Sequence, residues 1–406
     1  MLDIEAIRRE FPALKKKVKG NPLIYLDGPG GTQVPNRVIR AIGNYYRRSN
    51  ANTHGAFATA RETDQKIDMM RSHLSTLLNA EGAHCISVGQ NMTSLNFALA
   101  RAFGRFFQPG DEVLITQLDH EANRGPWLSL REKGILVKEV KLLPSGVLDY
   151  DDLAEKLSDR TRLVAMGMSS NAIGTVNDVQ KVRQLTYAAG AWLLLDAVHY
   201  APHFSIDVQA IGCDFLLCSA YKFYGPHVGI LYAKTGLIDQ LPTDRLRTTD
   251  QMAPYSIETG TLNHAALAGV IGAVDFLANL GEGDTQRTRL VDAFDKIHAH
   301  EHALASKLYT ELSKISGIDI IGQDFSDKMR TPTVSFTLKG KRPEAICQQL
   351  AAHNICAWDG HFYAIRAMEV LGLAEIGGVT RLGISVYTTE AEIDQTIAAI
   401  KSIAGA

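Results

Sequence analysis

The sequence predicts an α/β protein: a mostly parallel seven-stranded sheet in a large domain, followed by a smaller α+β domain. Three observations predict it. Between about residue 80 and residue 235, short apolar runs rich in Val, Ile and Leu alternate with amphipathic helical stretches, the pattern of a parallel sheet covered on both faces. After about residue 280 the texture changes to one long helical segment and then separated strands and helices. A chain of 406 residues, 46% hydrophobic and 21% charged, is globular in composition and long for a single core.

The predicted strands of the large domain are Cys85 to Val88, Glu112 to Thr116, Leu136 to Val140, Leu163 to Gly167, Trp192 to Leu195, Phe215 to Cys218 and Val228 to Tyr232. Between them Leu95, Ala98, Leu99, Ala102 and Phe103 recur at helical spacing, as do Val179, Val182 and Leu185. The second region reads as a helix from Arg287 to Ile315 and strands Thr333 to Leu338 and Thr380 to Val386. The implied boundaries are an N-terminal segment 1–24 joining the small domain, a large domain 25–280 and a small domain 281–406. Thr243 to Thr259 is polar, with Pro242 and Pro254 as breakers, and reads as a loop free to move or to reach a partner subunit.

Charge and composition narrow the function. With 42 basic against 44 acidic residues there is no field to attract nucleic acid or an anionic membrane. Met1 to Leu14 reads as an amphipathic helix without an apolar signal core, so a soluble cytoplasmic protein is expected. Cys85, Cys213, Cys218, Cys347 and Cys356 are dispersed and odd in number, as in a reduced cytosolic chain, and no Cys or His spacing suggests a metal.

The strongest chemical signal is Leu193-Leu194-Leu195-Asp196-Ala197-Val198-His199, where a buried strand runs into a carboxylate. Ligands of open α/β sheets bind beyond the carboxyl ends of the strands, which is where Asp196 and His199 would point. An Asp capping the next helix is the plainer reading of the same pattern. The following strand leads into Ser219-Ala220-Tyr221-Lys222-Phe223-Tyr224-Gly225-Pro226, placing a lysine among small and aromatic residues. An apolar setting there would depress its pKa and make it a usable amine nucleophile; a lone lysine is otherwise a surface residue. An acid and an amine at successive strand ends meet the needs of pyridoxal phosphate (PLP): an anion to hold the pyridine nitrogen protonated and an amine to form the imine.

At these residues the chain resembles the fold-type I PLP enzymes of the class V aminotransferase family, most closely its cysteine desulfurase and selenocysteine lyase-like group. Asp196 to His199 and Ser219 to Lys222 resemble that family's DxxQ/H and SxHK motifs. Tyr25-Leu26-Asp27-Gly28-Pro29-Gly30-Gly31-Thr32 is similar to YLDNAATT at the N-terminal end, and Thr380-Arg381-Leu382-Gly383-Ile384-Ser385 marks the C-terminal end. The resemblance implies Lys222 as the Schiff-base lysine, Asp196 as partner of the pyridine nitrogen, and His199 with Asn171 at the phenolic oxygen. It implies His120, in Leu118-Asp119-His120-Glu121-Ala122-Asn123, as the ring stacked on the pyridine face, and Arg381 as the bidentate partner of a substrate carboxylate. The phosphate would meet Gly89-Gln90-Asn91-Met92-Thr93-Ser94 at a helix start, where the family has Gly-Thr-Thr in place of Gln90-Asn91-Met92. Ser219 and Tyr221, the latter in place of a histidine, complete that site, and Thr261 in Glu258-Thr259-Gly260-Thr261 would reach the neighbour's phosphate in a homodimer.

The resemblance breaks in one loop. Desulfurases of this group carry a nucleophilic cysteine in a segment of the type RTGHHCA; here Trp358-Asp359-Gly360-His361-Phe362-Tyr363-Ala364 places Tyr363 in its position. A phenol cannot store sulfane sulfur. Cys356, seven residues earlier, reads as a small buried residue, and His361 and Tyr363 read as acid-base groups or as packing against the substrate. The expected function is a carbon–sulfur or carbon–selenium lyase on a small L-amino acid that forms no protein persulfide there. Transamination on the same cofactor and a non-catalytic partner subunit in sulfur transfer are the alternatives.

Overall fold

The apolar runs in the middle of the chain become seven strands: β1 (Ile86–Gly89), β2 (Glu112–Thr116), β3 (Leu136–Val140), β4 (Thr161–Gly167), β5 (Trp192–Asp196), β6 (Phe215–Ser219) and β7 (Gly229–Ala233). The structure, a computed structural model, describes residues 2–326 and 329–405, so Met1 of the predicted N-terminal helix lies outside the described residues. The strands form one sheet in the order β1-β7-β6-β5-β4-β2-β3. Only β7 runs against its neighbours; the pairs from β6 to β3 are parallel. The predicted mostly parallel seven-stranded sheet is therefore present, and within it no predicted strand end is displaced by more than two residues.

Side-chain alternation explains why these runs are apolar throughout. Leu193 and Leu195 of β5 join Val88, Val164, Leu216 and Ile230 on one face, whereas Leu194 packs with Leu99, Phe103, Phe215 and Leu231 on the other. Each fully buried leucine contributes about 1.5–3 kcal/mol. The second face is covered by helix Met92–Phe106, whose Leu95, Leu99, Ala102 and Phe103 form its buried stripe. On the first face lie helices Ala58–Leu78 and His264–Ala278, the latter buried nearly all round.

The long helix spans Gln286–Leu312 and opens with a capping box between Thr285 and Thr288. A second, antiparallel sheet has the order β8-β9-β11-β10, with β8 (Ile318–Ile321), β9 (Thr333–Leu338), β10 (Trp358–Gly360) and β11 (Val379–Gly383). β11 ends three residues before the predicted Val386, because its last residue, Gly383, abuts Pro29, and Ile384 turns to bond Pro332. A Cβ on Gly383 would fall 2.0 Å from Pro29 Cδ, so the residue-25-to-32 turn seats directly on this strand.

Two segments differ from their sequence reading. The N-terminal helix is only Ile4–Arg9, followed by a 3-10 turn at Pro12–Lys15, because Phe11 leaves the helix to pack edge-on against Tyr224, Phe276 and Tyr387. The Thr243-to-Thr259 segment is not a free loop throughout. Ser256, Ile257 and Glu258 are buried, and Glu258 holds Arg71 through paired contacts of 2.8 and 2.7 Å while accepting from Val88 N at 2.8 Å. Among the described residues no helix is long and apolar enough to cross a membrane.

Candidate active site

The carboxyl ends of β1, β2, β4, β5 and β6 open into one cavity of about 520 Å³, closed from the other side by β11, the residue-27-to-30 turn and the residue-358-to-363 loop. This is the crevice in which an open α/β sheet binds its ligand. Lys222, His120, Tyr363, His361, Asp196, His199, Asn171, Asn91, Met92, Ser219, Tyr221 and Arg381 all line it. Thr261 does not; it borders a separate cleft with Gly89, Gln90 and Ser94.

Lys222 ends the 3-10 turn Ala220–Lys222 that follows β6, and its side chain is buried. Its Nζ donates to the carbonyls of Pro29 and Gly30 and lies 4.9 Å from the Tyr221 ring centroid. Burial, reinforced by the Arg381 charge, pulls its pKa down to about 7; Asp27 and Asp196 oppose this. The lysine is buried as expected, but its setting is not apolar: two carbonyls and the charges of Asp27, Asp196 and Arg381 surround it, and burial outweighs the two acids. Asp196, the last residue of β5, accepts from Val198 N at 2.9 Å, and burial raises its pKa to about 6.

His120 follows β2 and accepts from Ala122 N through Nδ1 at 2.9 Å. Burial, with the Lys222 and Arg381 charges, lowers its pKa to about 4, so it presents a neutral ring to the cavity. His199 is buried and in contact through Nε2 with the hydroxyls of Thr331 and Thr333 at 3.0 and 3.1 Å. Its Nδ1 has no protein partner among the described residues. Asn171 donates one amide hydrogen to Phe362 O at 2.8 Å, so only part of its side chain is free for a ligand.

At the helix start the Asn91 side chain takes the capping role, accepting from Ser94 N at 2.8 Å and from Ser94 Oγ at 3.0 Å. Met92 N reaches Ser219 Oγ at 3.4 Å. Gly229 of β7 is required beside them: a Cβ there would lie 2.2 Å from the Asn91 carbonyl carbon. Tyr221 stacks flat on His227, with centroids 4.6 Å apart and planes 7° apart, a contact without a local sequence signal.

Arg381 of β11 is buried. Its Nη2 meets Asp27 Oδ1 at 3.0 Å, its Nη1 donates to Asn171 O at 3.0 Å, and the Phe362 ring covers its face at 3.9 Å. The Nε is buried without a partner, as is Ser169 Oγ at the cavity wall. Phe362 and Tyr363 both have left-handed backbones, at φ 50° and 58°. Such residues cost about 1–3 kcal/mol each. The loop is clamped against that cost by Asn171 on Phe362 O and by Glu121 N on Tyr363 O at 2.7 Å. Tyr363 itself is 66% exposed at the cavity mouth, its ring centroid 5.4 Å from that of His120.

Sequence reasoning missed Asp27 as the partner of Arg381, and Asp119. The latter accepts from Gly167 N at 2.7 Å and from Asn123 Nδ2 at 3.2 Å, and burial raises its pKa to about 7. Its signal, an acid just beyond a buried strand, is the one that identified Asp196. Cys356 is half-buried rather than buried, pairs beside Tyr25, and does not line the cavity; burial pushes its thiol pKa up.

The Aminotransferase class-V family model matches residues 24–396, nearly the whole of the chain. The chain belongs to the class V aminotransferase family. It is 30% identical to a cysteine desulfurase of Yersinia pseudotuberculosis over 98% of both chains. It is 32% identical to a cysteine desulfurase of Synechococcus elongatus, over 99% of this chain and 64% of that longer one. Among solved structures it superposes on the cysteine desulfurase CsdA of Escherichia coli with a TM-score of 0.87 at 26% identity, covering 99% of this chain and 98% of that one. A cysteine desulfurase from Thermococcus onnurineus shares the fold, with a TM-score of 0.87 at 24% identity, over 100% of this chain and 98% of that one.

As a member of this family the chain is a PLP-dependent enzyme. The cavity fits that cofactor. It brings together a weakly basic lysine, a buried carboxyl at the end of β5, a neutral ring at His120 and the start of a helix, which are the kinds of group that could partner an aldehyde, a pyridinium, a flat ring and a phosphate.

Proposed function

We propose that Lys222 carries PLP and that the enzyme cleaves a carbon–sulfur or carbon–selenium bond in a small L-amino acid without storing sulfur on a cysteine of the residue-358-to-363 loop. One observation carries the reading: Lys222 and Arg381 face one cavity, and no residue lining it is a cysteine among the described residues. The family resemblance and the cysteine desulfurase relatives support cysteine, cystine, a cysteine conjugate, cysteine sulfinate or selenocysteine as the substrate class.

When bound, PLP supplies an electron sink for the pair of electrons released at the substrate's α-carbon. Asp196, as the anion, holds the pyridine nitrogen protonated. His120 would cover the ring without adding charge, given its lowered pKa. His199 Nδ1 and the remaining Asn171 amide hydrogen would be available to the phenolic oxygen. The amides of Met92 and Thr93, with Ser219 and Tyr221, would hold the phosphate. Arg381 fixes the substrate carboxylate, and Lys222 Nζ, near neutrality already a competent base, takes the α-proton. Phe362 and Tyr363 narrow the mouth and shield the reacting carbon from water. We further assign the protein to the cytoplasm as a homodimer in which Thr261 donates to the neighbour's phosphate. Its five cysteines are all free thiols, in keeping with a reducing compartment.

Incubation of the purified holoenzyme with these substrates tests the reading. With cysteine and water the expected products are pyruvate, ammonia and sulfide in equal amounts. Absence of every carbon–sulfur or carbon–selenium cleavage product across the panel, whether keto acid with sulfide, persulfide or selenide, or alanine with sulfite from cysteine sulfinate, would overturn it, and conversion of the cofactor to its amine form with release of an unbroken keto acid would make the enzyme an aminotransferase.

A further inference from the structure

Arg381 already holds a carboxylate. Its guanidinium is fixed on three sides, by Asp27 Oδ1 at 3.0 Å, by Asn171 O at 3.0 Å and by the Phe362 ring at 3.9 Å, and its Nε has no partner among the described residues. Asp27 and Arg381 both line the cavity, together with Lys222, whose Nζ donates to the carbonyls of Pro29 and Gly30 in the same turn as Asp27. The turn is shaped around the Asp27 side chain: a Cβ on Gly30 would lie 2.3 Å from its Oδ2. An incoming substrate carboxylate must therefore share one guanidinium with a resident carboxylate. Two like charges on one cation bind less well than one, because each adds repulsion while the attraction is divided.

We propose that Asp27 is a specificity-determining residue that competes with the substrate's carboxylate for Arg381 and so sets how strongly the enzyme prefers a free α-carboxylate over a neutral group in the same position. The proposal rests on the reading of Arg381 as the carboxylate ligand. Asp27 is kept in place by the chain rather than by the ligand, since its turn bridges to Gly383 and its own backbone carbonyl accepts from Gly30 N at 3.0 Å. A substrate carboxylate must share or open the contacts of a guanidinium that is buried here, and the Asp27 charge weakens its hold without blocking it.

The test compares wild-type holoenzyme with Asp27→Asn, titrating each with L-alanine and with L-alaninamide and reading binding from the change in cofactor absorbance. Asparagine keeps an oxygen for Arg381 and removes the charge. Exchanging a charged for a neutral partner on the guanidinium predicts roughly tenfold tighter binding of alanine and a change of less than about twofold for the amide. Asp27→Glu, which restores the charge, is expected to return the ratio toward the wild-type value. If Asp27→Asn does not fold, Asp27→Ser makes the same comparison. Parallel changes in both ligands, or an unchanged ratio, would show a merely structural Asp27 and overturn the proposal. Failure of wild type to bind either ligand would instead strike the amino-acid reading itself, and the proposal with it.

Discussion

The weakened basicity of Lys222 predicts how the protein acquires its cofactor. An ordinary lysine, with a pKa near 10.5, is only about one part in 300 uncharged at pH 8, whereas one near 7 is about nine-tenths uncharged. Attack on an aldehyde requires the free amine, so Lys222 should react roughly 300-fold faster at pH 8 than an exposed lysine of equal intrinsic reactivity. The sign follows from burial, which disfavours the ammonium form: protonation below about pH 7 removes the nucleophile, and raising the pH above it adds little. The assay is stopped-flow mixing of cofactor-free protein with PLP between pH 5.5 and about 9.5, following the visible band of the bound cofactor. The rate should rise about tenfold per pH unit below 7 and level off above about 8. A rate still climbing tenfold per unit between about pH 8 and 9.5 would mean a normal lysine and would refute the reasoning.

Two further outcomes follow from the packing. Glu258→Ala should lower stability by about 3–5 kcal/mol, because it leaves Arg71 as an unpaired buried cation; denaturant unfolding checks this, and a loss below about 1 kcal/mol would contradict it. Gly229→Ala should weaken PLP binding at least about tenfold while sparing the sheet, since the new methyl would strike the Asn91 backbone and displace the Met92 amide; equilibrium dialysis measures it, and an unchanged affinity would show that the helix start does not hold the phosphate.

What was legible in the sequence was what burial writes locally. β2 and β9 match their predicted ends because each is an apolar or β-branched run bounded by turn residues; β3 also matches, although Lys138 and Glu139 interrupt it and most of its residues are only half-buried or exposed. β8 and β10 were not read: both are short, and their residues are half-buried or exposed, so the brief Ile318-Asp319-Ile320 alternation of β8 is not backed by a buried run. Asp196 and Lys222 were legible because a charge directly after a buried strand is locally conspicuous. The pairing of Asp27 with Arg381 joins residues 354 apart in sequence, and the Tyr221–His227 stack depends on a turn geometry, so neither leaves a local pattern. The same holds for Phe362, an ordinary apolar residue in sequence that covers the guanidinium only because two left-handed residues turn the loop back into the cavity.

The claim on which all else depends is that the cofactor is bonded to Lys222. Borohydride reduction of the holoenzyme, followed by proteolysis and mass spectrometry, should place a reduced pyridoxyl phosphate group on the peptide containing Lys222, and Lys222→Ala should lack both the adduct and the visible band while keeping its fold. An adduct on another lysine, or a Lys222→Ala protein that retains the band, would contradict the account.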